Sequence, residues 1–202
     1  MVDLYIYTFY DDMKYWIVDN GKMVFELETN TRQISGIFYD LLDSSGVEFK
    51  EIQKIVFING PGSFTSLRFF LTFAKALKVS FPDIEVIPLN LLEMMAFTQK
   101  GEINVIMGGS REFLKFFHYG KYKKTDDNFE IVEDVKLISY EDAKKIVKPL
   151  FIGVKPDFEI QPYNIELDDM ISFSDYKSEK SDIEDIISLT PYYYKHFVTK
   201  KL

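Results

Sequence analysis

Four kinds of residue or segment are scarce in this chain of 202 residues: it has no cysteine, only two histidines, only three arginines, and no apolar run of the ~20 residues that a membrane span needs. Each scarcity removes a class of chemistry. Without thiols there is no disulfide, no thiolate nucleophile and no cysteine-based metal centre, and His118 and His196 do not have the HxxxH spacing of a zinc pair. Metal chemistry would fall to carboxylates alone. Arg32, Arg68 and Arg111 are the only arginines among 24 basic residues, so bidentate phosphate clamps are scarce. The formal net charge of −8 argues against a polyanion as the principal partner, because nucleic-acid affinity comes largely from cationic side chains that neutralise phosphates. Asp3 also stands where a secretory signal would carry positive charge, so the expectation is a cytoplasmic protein without a membrane.

Hydrophobic residues make up 47% of the chain, ample for a packed core. The N-terminus alternates apolar and polar positions in three runs, at Leu4 to Phe9, Tyr15 to Val18 and Met23 to Leu27, separated by Asp11-Asp12 and by Asn20-Gly21, a strong hairpin signal. From Thr31 the period changes: Ile34, Ile37, Phe38, Leu41 and Leu42 form one helical face ending near Gly46, and Gly36, Tyr39, Asp40 and Asp43 lie on the other. Lys54 to Ile58 reads as a buried strand, Ile84 to Ile87 as another, and Leu91 to Phe97 as an apolar helix. This βββαβαβα order is the ribonuclease-H-like pattern of the actin, hexokinase and Hsp70 superfamily. The expected domains are 1–100 and a smaller, divergent 101–202 whose C-terminal segment could return to the first.

The second half is more polar. Ile103 to Met107, Phe113 to Tyr119 and Phe129 to Val135 read as strands, Ser139 with Asp142 as a cap opening a helix through Val147, and Leu150 to Ile152 as a strand ended by Gly153. Most of the acidic stretch from Asp168 to Asp185 reads as loop, and no internal repeat is visible. The basic, aromatic tail carrying Lys195, His196, Lys200 and Lys201 reads as packed through Tyr192 to Tyr194.

Between the buried strand and the next helix stands Gly60-Pro61-Gly62-Ser63-Phe64-Thr65. A glycine-rich turn before a helix suits a phosphate, since free N–H groups at a helix N-terminus attract anions. A hydroxyl cap from Ser63 or Thr65 explains the same residues without a ligand. The turn has neither the lysine of a P-loop nor the third glycine of a dinucleotide fingerprint. The helix beyond it, from Leu67 to Val79, leaves a narrow polar stripe through Arg68, Thr72 and Lys75 and is expected to be buried on two sides, the second covered by the first helix or by another subunit.

This stretch, "GPGSFTSLRFFLTFAKAL", closely resembles the signature of the TsaB (YeaZ) family, Gly-Pro-Gly-Ser-Phe-Thr-Gly-Leu-Arg followed by Ala-Lys-Gly-Leu. The helix at Thr31 to Asp43, Asn90 to Glu93, "PLFIG" at 149–153 and "PYYYK" at 191–195 echo the family more weakly. The resemblance implies a bacterial protein with the actin-like ATPase (ASKHA) fold, α/β with two ribonuclease-H-like halves, and no catalysis of its own. It implies a scaffold for the paralogous TsaD, which transfers a threonylcarbamoyl group to adenosine 37 of tRNAs reading codons that begin with A. The TsaE ATPase joins the complex and TsaC makes the threonylcarbamoyl-adenylate donor. ATP, magnesium and that donor then belong to the partners, with no catalytic, cofactor or metal residue on this chain and tRNA met only indirectly.

Two departures support a pseudoenzyme. Where relatives usually carry Asp-Thr-Ser in the first strand, this chain has Tyr7-Thr8-Phe9, and a second usual aspartate falls at about Gly108 or Gly109. Both hard-oxygen ligands of a metal-bound phosphate are therefore missing. Ser66 also replaces a motif glycine. The alternative, a small ATPase or kinase of the actin-like superfamily, needs those carboxylates. A peptidase finds no zinc spacing, no cysteine and no Ser-His-Asp set. The expected TsaD interface, or homodimer face when TsaD is absent, comprises Gly36, Tyr39, Asp40, Asp43, Arg68, Phe69, Thr72 and Phe73. Phe69 and Phe73 are its anchors, one helical turn apart.

Overall fold

Alternation along the first three runs builds an antiparallel meander: β1 (Val2–Phe9), β2 (Asp12–Asp19) and β3 (Lys22–Asn30). Asn20 and Gly21 both take positive φ, 49° and 75°, as the tight turn between β2 and β3 requires. The computed structural model describes residues 1–10, 12–30, 36–108, 115–179, Ile186 and Leu189, with residues 37–40 and 179 described by their backbone alone. Outside them lie Arg32, Arg111, Gly109, the first residues of the helix expected from Thr31, and the basic tail.

The chain divides into two units. The first holds Met1–Leu89 and the described chain from Met170 onward, and its sheet runs β3-β2-β1-β4-β5, with β4 at Ile52–Gly60 and β5 at Glu85–Asn90. β4 lies parallel to β1. α1 (Ile37–Ser45) ends where Gly46, at φ 70°, donates its N–H to the Leu42 carbonyl. α2 (Phe64–Ser80) buries Ser66, Leu67, Phe70, Leu71, Ala74 and Leu77 against one face of the sheet, where Leu4, Ile6, Ile55 and Phe57 meet them. Each large apolar side chain so buried stabilises by roughly 1.5–3 kcal/mol. Within this chain α2 is buried along one side, and the side carrying Arg68 and Thr72 is exposed.

The second unit spans Asn90–Asp169. Its strands β6 (Gly101–Gly108), β7 (Phe116–Lys124) and β8 (Phe129–Ser139) form another antiparallel meander, and β9 (Leu150–Ile152) lies parallel to β6 with β10 (Gln161–Pro162) beyond it. The order β8-β7-β6-β9-β10 repeats the first sheet strand for strand, third-second-first-fourth-fifth. This is an α/β fold of the actin-like kind, built from two ribonuclease-H-like sheets. α3 (Leu91–Phe97), counted above with the first half, packs on β6 and β7, and its first turn is capped by Asn90 Oδ1 accepting from the Leu92 and Glu93 amides.

Two expectations need correction, and one short strand was not foreseen. α4 covers only Tyr140–Ala143 instead of reaching Val147: Ser139 caps it as expected, but Pro149 disfavours helical geometry at the residue before it, and Lys148 turns out at φ 42°. The acidic stretch read as loop contains α5 (Leu167–Glu179), whose inner face is Met170, Phe173 and Ser174 and whose charges lie on its outer positions. β10, only two residues long, gave no periodic signal. Among the described residues no helix is long and apolar enough to cross a membrane.

Titration separates the units. Burial pushes the His118 imidazole on β7 down from 6.5 to about 4, so its stabilising contribution is whole above about 6.5 and is lost as pH falls toward 4. Glu102, Glu133 and Asp142 in the same unit are held low by Lys121, Lys136 and Lys145 and act in the same direction. Asp3 in the first unit is pushed up by burial against the opposing pull of Lys54, so its contribution runs the other way, present at low pH and lost as pH rises. Acidification from pH 7 to 4.5 should therefore weaken the second unit first. NMR should place the His118 midpoint near 4. A midpoint near 6.5, or equal pH dependence of amide protection in both units, would refute this.

Candidate functional site: the glycine turn, the phosphate-loop positions and the outer face of the second helix

β4 carries the chain to Gly60, where φ reaches +135°, a conformation that side chains rarely adopt, and the Gly60–Pro61 peptide is cis. Gly62 makes no such demand: a Cβ there would meet only Leu67 Cδ2 at 3.6 Å and the Thr8 carbonyl at 3.9 Å. One glycine of the motif is needed for its backbone, and the other lies over the end of β1 with room for a methyl group. Ser63 takes the N-cap position of α2 in extended geometry, and its carbonyl accepts the Leu67 N–H at 2.9 Å. Its hydroxyl makes no capping bond, and Thr65 lies exposed within the first turn, so the expected hydroxyl cap does not form. Thr8 and Ser66 are fully buried near this turn, and among the described residues neither hydroxyl has a hydrogen-bond partner.

The two positions at which the resemblance leads to the expectation of carboxylates are closed in different ways. Tyr7, at the end of β1, is 6% exposed, and burial together with the Asp12 charge raises its phenol so far that it stays neutral. Gly108, at the end of β6, is buried, and a Cβ there would fall 2.8 Å from Phe151 Cζ and 3.5 Å from Phe117 Cε1. Phe151 and Phe117 belong to the apolar cluster of the second unit, so the space an aspartate would use is occupied by aromatic rings.

Along α2 the outward positions are Phe64, Arg68, Thr72 and Ala76, at intervals of four, followed by Val79. Phe64 is 55% and Val79 70% exposed, and the Arg68 guanidinium lies 4.6 Å from the Phe64 ring centroid. Phe69 and Phe73 are half-buried: Phe69 meets Phe70 edge to face at 5.4 Å, Phe73 meets Phe49 at 6.0 Å, and both pack on the first unit's core. Gly36 and Asp43 are exposed, while the side chains of Tyr39 and Asp40 lie outside the described residues. The sequence reading missed Phe64 and Val79. Extending the four-residue spacing from Arg68 and Thr72 in both directions would have found Phe64 and Ala76, but it leads to Ser80 and not to Val79.

A family model, TsaD (tRNA N6-adenosine threonylcarbamoyltransferase), matches residues 28–183. The chain belongs to this family. Within it the likeness runs to TsaB (YeaZ). The TsaB tRNA threonylcarbamoyladenosine biosynthesis protein of Buchnera aphidicola (subsp. Acyrthosiphon pisum, strain APS) is 26% identical over 132 residues, which cover 62% of this chain and 56% of that protein. The match thus spans little more than half of that relative's length. YeaZ from Pseudomonas aeruginosa superposes with a TM-score of 0.69 at 13% identity, covering 96% of this chain and 99% of that one. An uncharacterized protein described as similar to the peptidase YeaZ of Pseudomonas aeruginosa gives 0.65 at 14% identity, covering 95% and 98%. These two structures establish the shared fold.

Within this TsaB (YeaZ)-type fold the two motif glycines should respond differently. Gly60→Ala forces a side chain into the left-handed region and should cost about 1–3 kcal/mol, whereas Gly62→Ala should change stability by less than about 0.5 kcal/mol. Denaturant unfolding followed through Trp16, the only tryptophan and a buried residue of the first unit, measures both. Equal effects would show that the turn does not depend on Gly60.

Proposed function

We propose that this chain is a non-catalytic scaffold subunit for the formation of N6-threonylcarbamoyladenosine at position 37 of tRNAs reading codons that begin with A. Family membership supports the pathway, and the filled site at Gly108 carries the non-catalytic part. A phosphate-bound magnesium needs hard oxygen ligands. Here one such position holds a neutral phenol and the other abuts the Phe151 ring. ATP, magnesium and threonylcarbamoyl-adenylate are used by the partners, and the chain acts in the cytoplasm. With a net charge of −8 it meets tRNA only through them.

The partner is TsaD, docking on the α1–α2 face of the first unit, with TsaE joining the pair. A second copy of this chain takes the same face when TsaD is absent. The outward row on α2 suits a helix-on-helix contact, with large apolar groups at its ends and small or polar ones between. Gly36, Asp43, Arg68 and Thr72 lie on that face, Tyr39 and Asp40 complete it, and Phe69 and Phe73 stiffen it from beneath as well as contributing their half-exposed edges.

Two measurements test this reading. The purified chain should show no magnesium-dependent ATP turnover, and Gly108→Asp should destabilise the second unit by about 1–3 kcal/mol through overpacking without creating turnover. Phe64→Asp, at an exposed position, should leave melting unchanged and weaken TsaD binding by about 2 kcal/mol, roughly 30-fold, in titration calorimetry. Turnover that vanished in Thr8→Ala would overturn the scaffold reading. Undiminished binding by Phe64→Asp would move the interface elsewhere.

A further inference from the structure

The face of the first sheet turned away from α2 carries a charged cluster in its interior. Asp3 and Tyr5 alternate with Leu4 and Ile6 on β1, so they point away from α2, and Asp3 lies in register with Lys54 on β4. The Lys54 ammonium is 3.4 Å from Asp3 Oδ2, 3.6 Å from Asp175 Oδ1 on α5, and 5.7 Å from the Tyr5 ring centroid. Burial raises the Tyr5 phenol against the opposing influence of Lys54 and of Ser174 on α5. One turn further along, Ser178 Oγ donates to Glu85 Oε1 on β5 at 2.8 Å. Asp3 is only 8% exposed, and its second oxygen, Oδ1, has no hydrogen-bond partner.

α5 therefore meets the sheet's polar groups through Asp175 and Ser178, and its fully buried side chains are Met170, Phe173 and Ser174. α2 meets the opposite face through Leu67, Phe70, Leu71, Ala74 and Leu77. Apolar burial is non-directional and adds with area, while a desolvated ion pair returns little net stability and fails sharply when one partner is lost. Elements with few buried apolar contacts are the ones that open ahead of the global transition.

We propose that α5 is a separately opening strap, keyed to the first unit by Lys54. The helix from Met170 to Glu179 lifts off the sheet in a step of its own while the sheet and α2 remain folded. Lys54, bridging β1, β4 and α5, sets how often it lifts. Lifting uncovers a buried acid, phenol and amine at Asp3, Tyr5 and Lys54, so the strap controls access to the most polar interior surface of the first unit.

Hydrogen exchange of the full chain at pH 7, resolved by mass spectrometry, tests this. Amides of 170–179 should exchange in a faster phase than those of β1, β4 and α2. Lys54→Met, which keeps the aliphatic stem, should speed α5 exchange ~10-fold or more and leave α2 unchanged, because it strands Asp3 and frees Asp175. The pair Asp175→Asn with Ser178→Ala leaves the Asp3–Lys54 contact intact and should speed α5 alone by roughly 3-fold, since Asp175 is largely exposed. If Lys54→Met unfolds the whole unit, the second variant decides. Exchange of α5 in a single phase with α2, or no selective effect of Asp175→Asn with Ser178→Ala, would overturn the strap.

Discussion

Burial of β1 on both faces is the constraint on which the first unit depends. Seven of its eight residues are buried, and it lies between an antiparallel neighbour and a parallel one. Its even-numbered side chains, Leu4 and Ile6, meet the apolar layer under α2, while Asp3, Tyr5 and Tyr7 form the other face. The parallel register with β4 brings the ends of both strands level, and there the Gly60 turn lies over the Thr8 carbonyl. A one-residue slip of β1 would exchange the two layers, placing Asp3 and the tyrosines against Phe70 and Leu71. Turn, helix and strap are therefore fixed by one register.

The second unit repeats the connectivity with less material. Where the first has the nine-residue α1 between its third and fourth strands, the second has the four-residue α4, and where the first has the seventeen-residue α2, the second has an irregular link between β9 and β10. Its core is correspondingly aromatic, with Phe117, Phe151 and Phe158 meeting within one small cluster. Large rings fill volume from few positions, which suits a unit with short helices to cover its sheet. The repeat is one of strand order and direction, and those leave no shared residue pattern in the sequence.

The strands of the first unit, the helix at Leu91–Phe97 and the motif turn were legible because each rests on local signals: alternation, Asn-Gly, and a glycine–proline break before an apolar helix. α5 was not, because it meets the sheet through polar contacts, Asp175 with Lys54 and Ser178 with Glu85, some ninety to one hundred and twenty positions earlier. Its fully buried apolar residues, Met170 and Phe173, are too few to set a hydrophobic period. On α2, counting apolar residues suggested two buried sides. Phe69 and Phe73 are half-buried, and the outward row begins instead at Phe64 and ends at Val79.

Tyr7 and Gly108, where the family resemblance implies carboxylates, differ in what would oppose one. At Tyr7 the backbone of β1 would accept an aspartate, and what opposes it is desolvation, a term that a bound cation could offset. At Gly108 the obstacle is steric: the Phe151 ring lies where the first side-chain carbon would go, and Gly153, at φ +123°, brings its own backbone close to the Gly108 carbonyl from the β9 side. The Phe151 ring, with Phe117 behind it, would have to shift before a side chain could be placed there. Phe117 and Phe151, which a Cβ at Gly108 would meet, pack the second unit's core, so a side chain placed there works against that unit's stability.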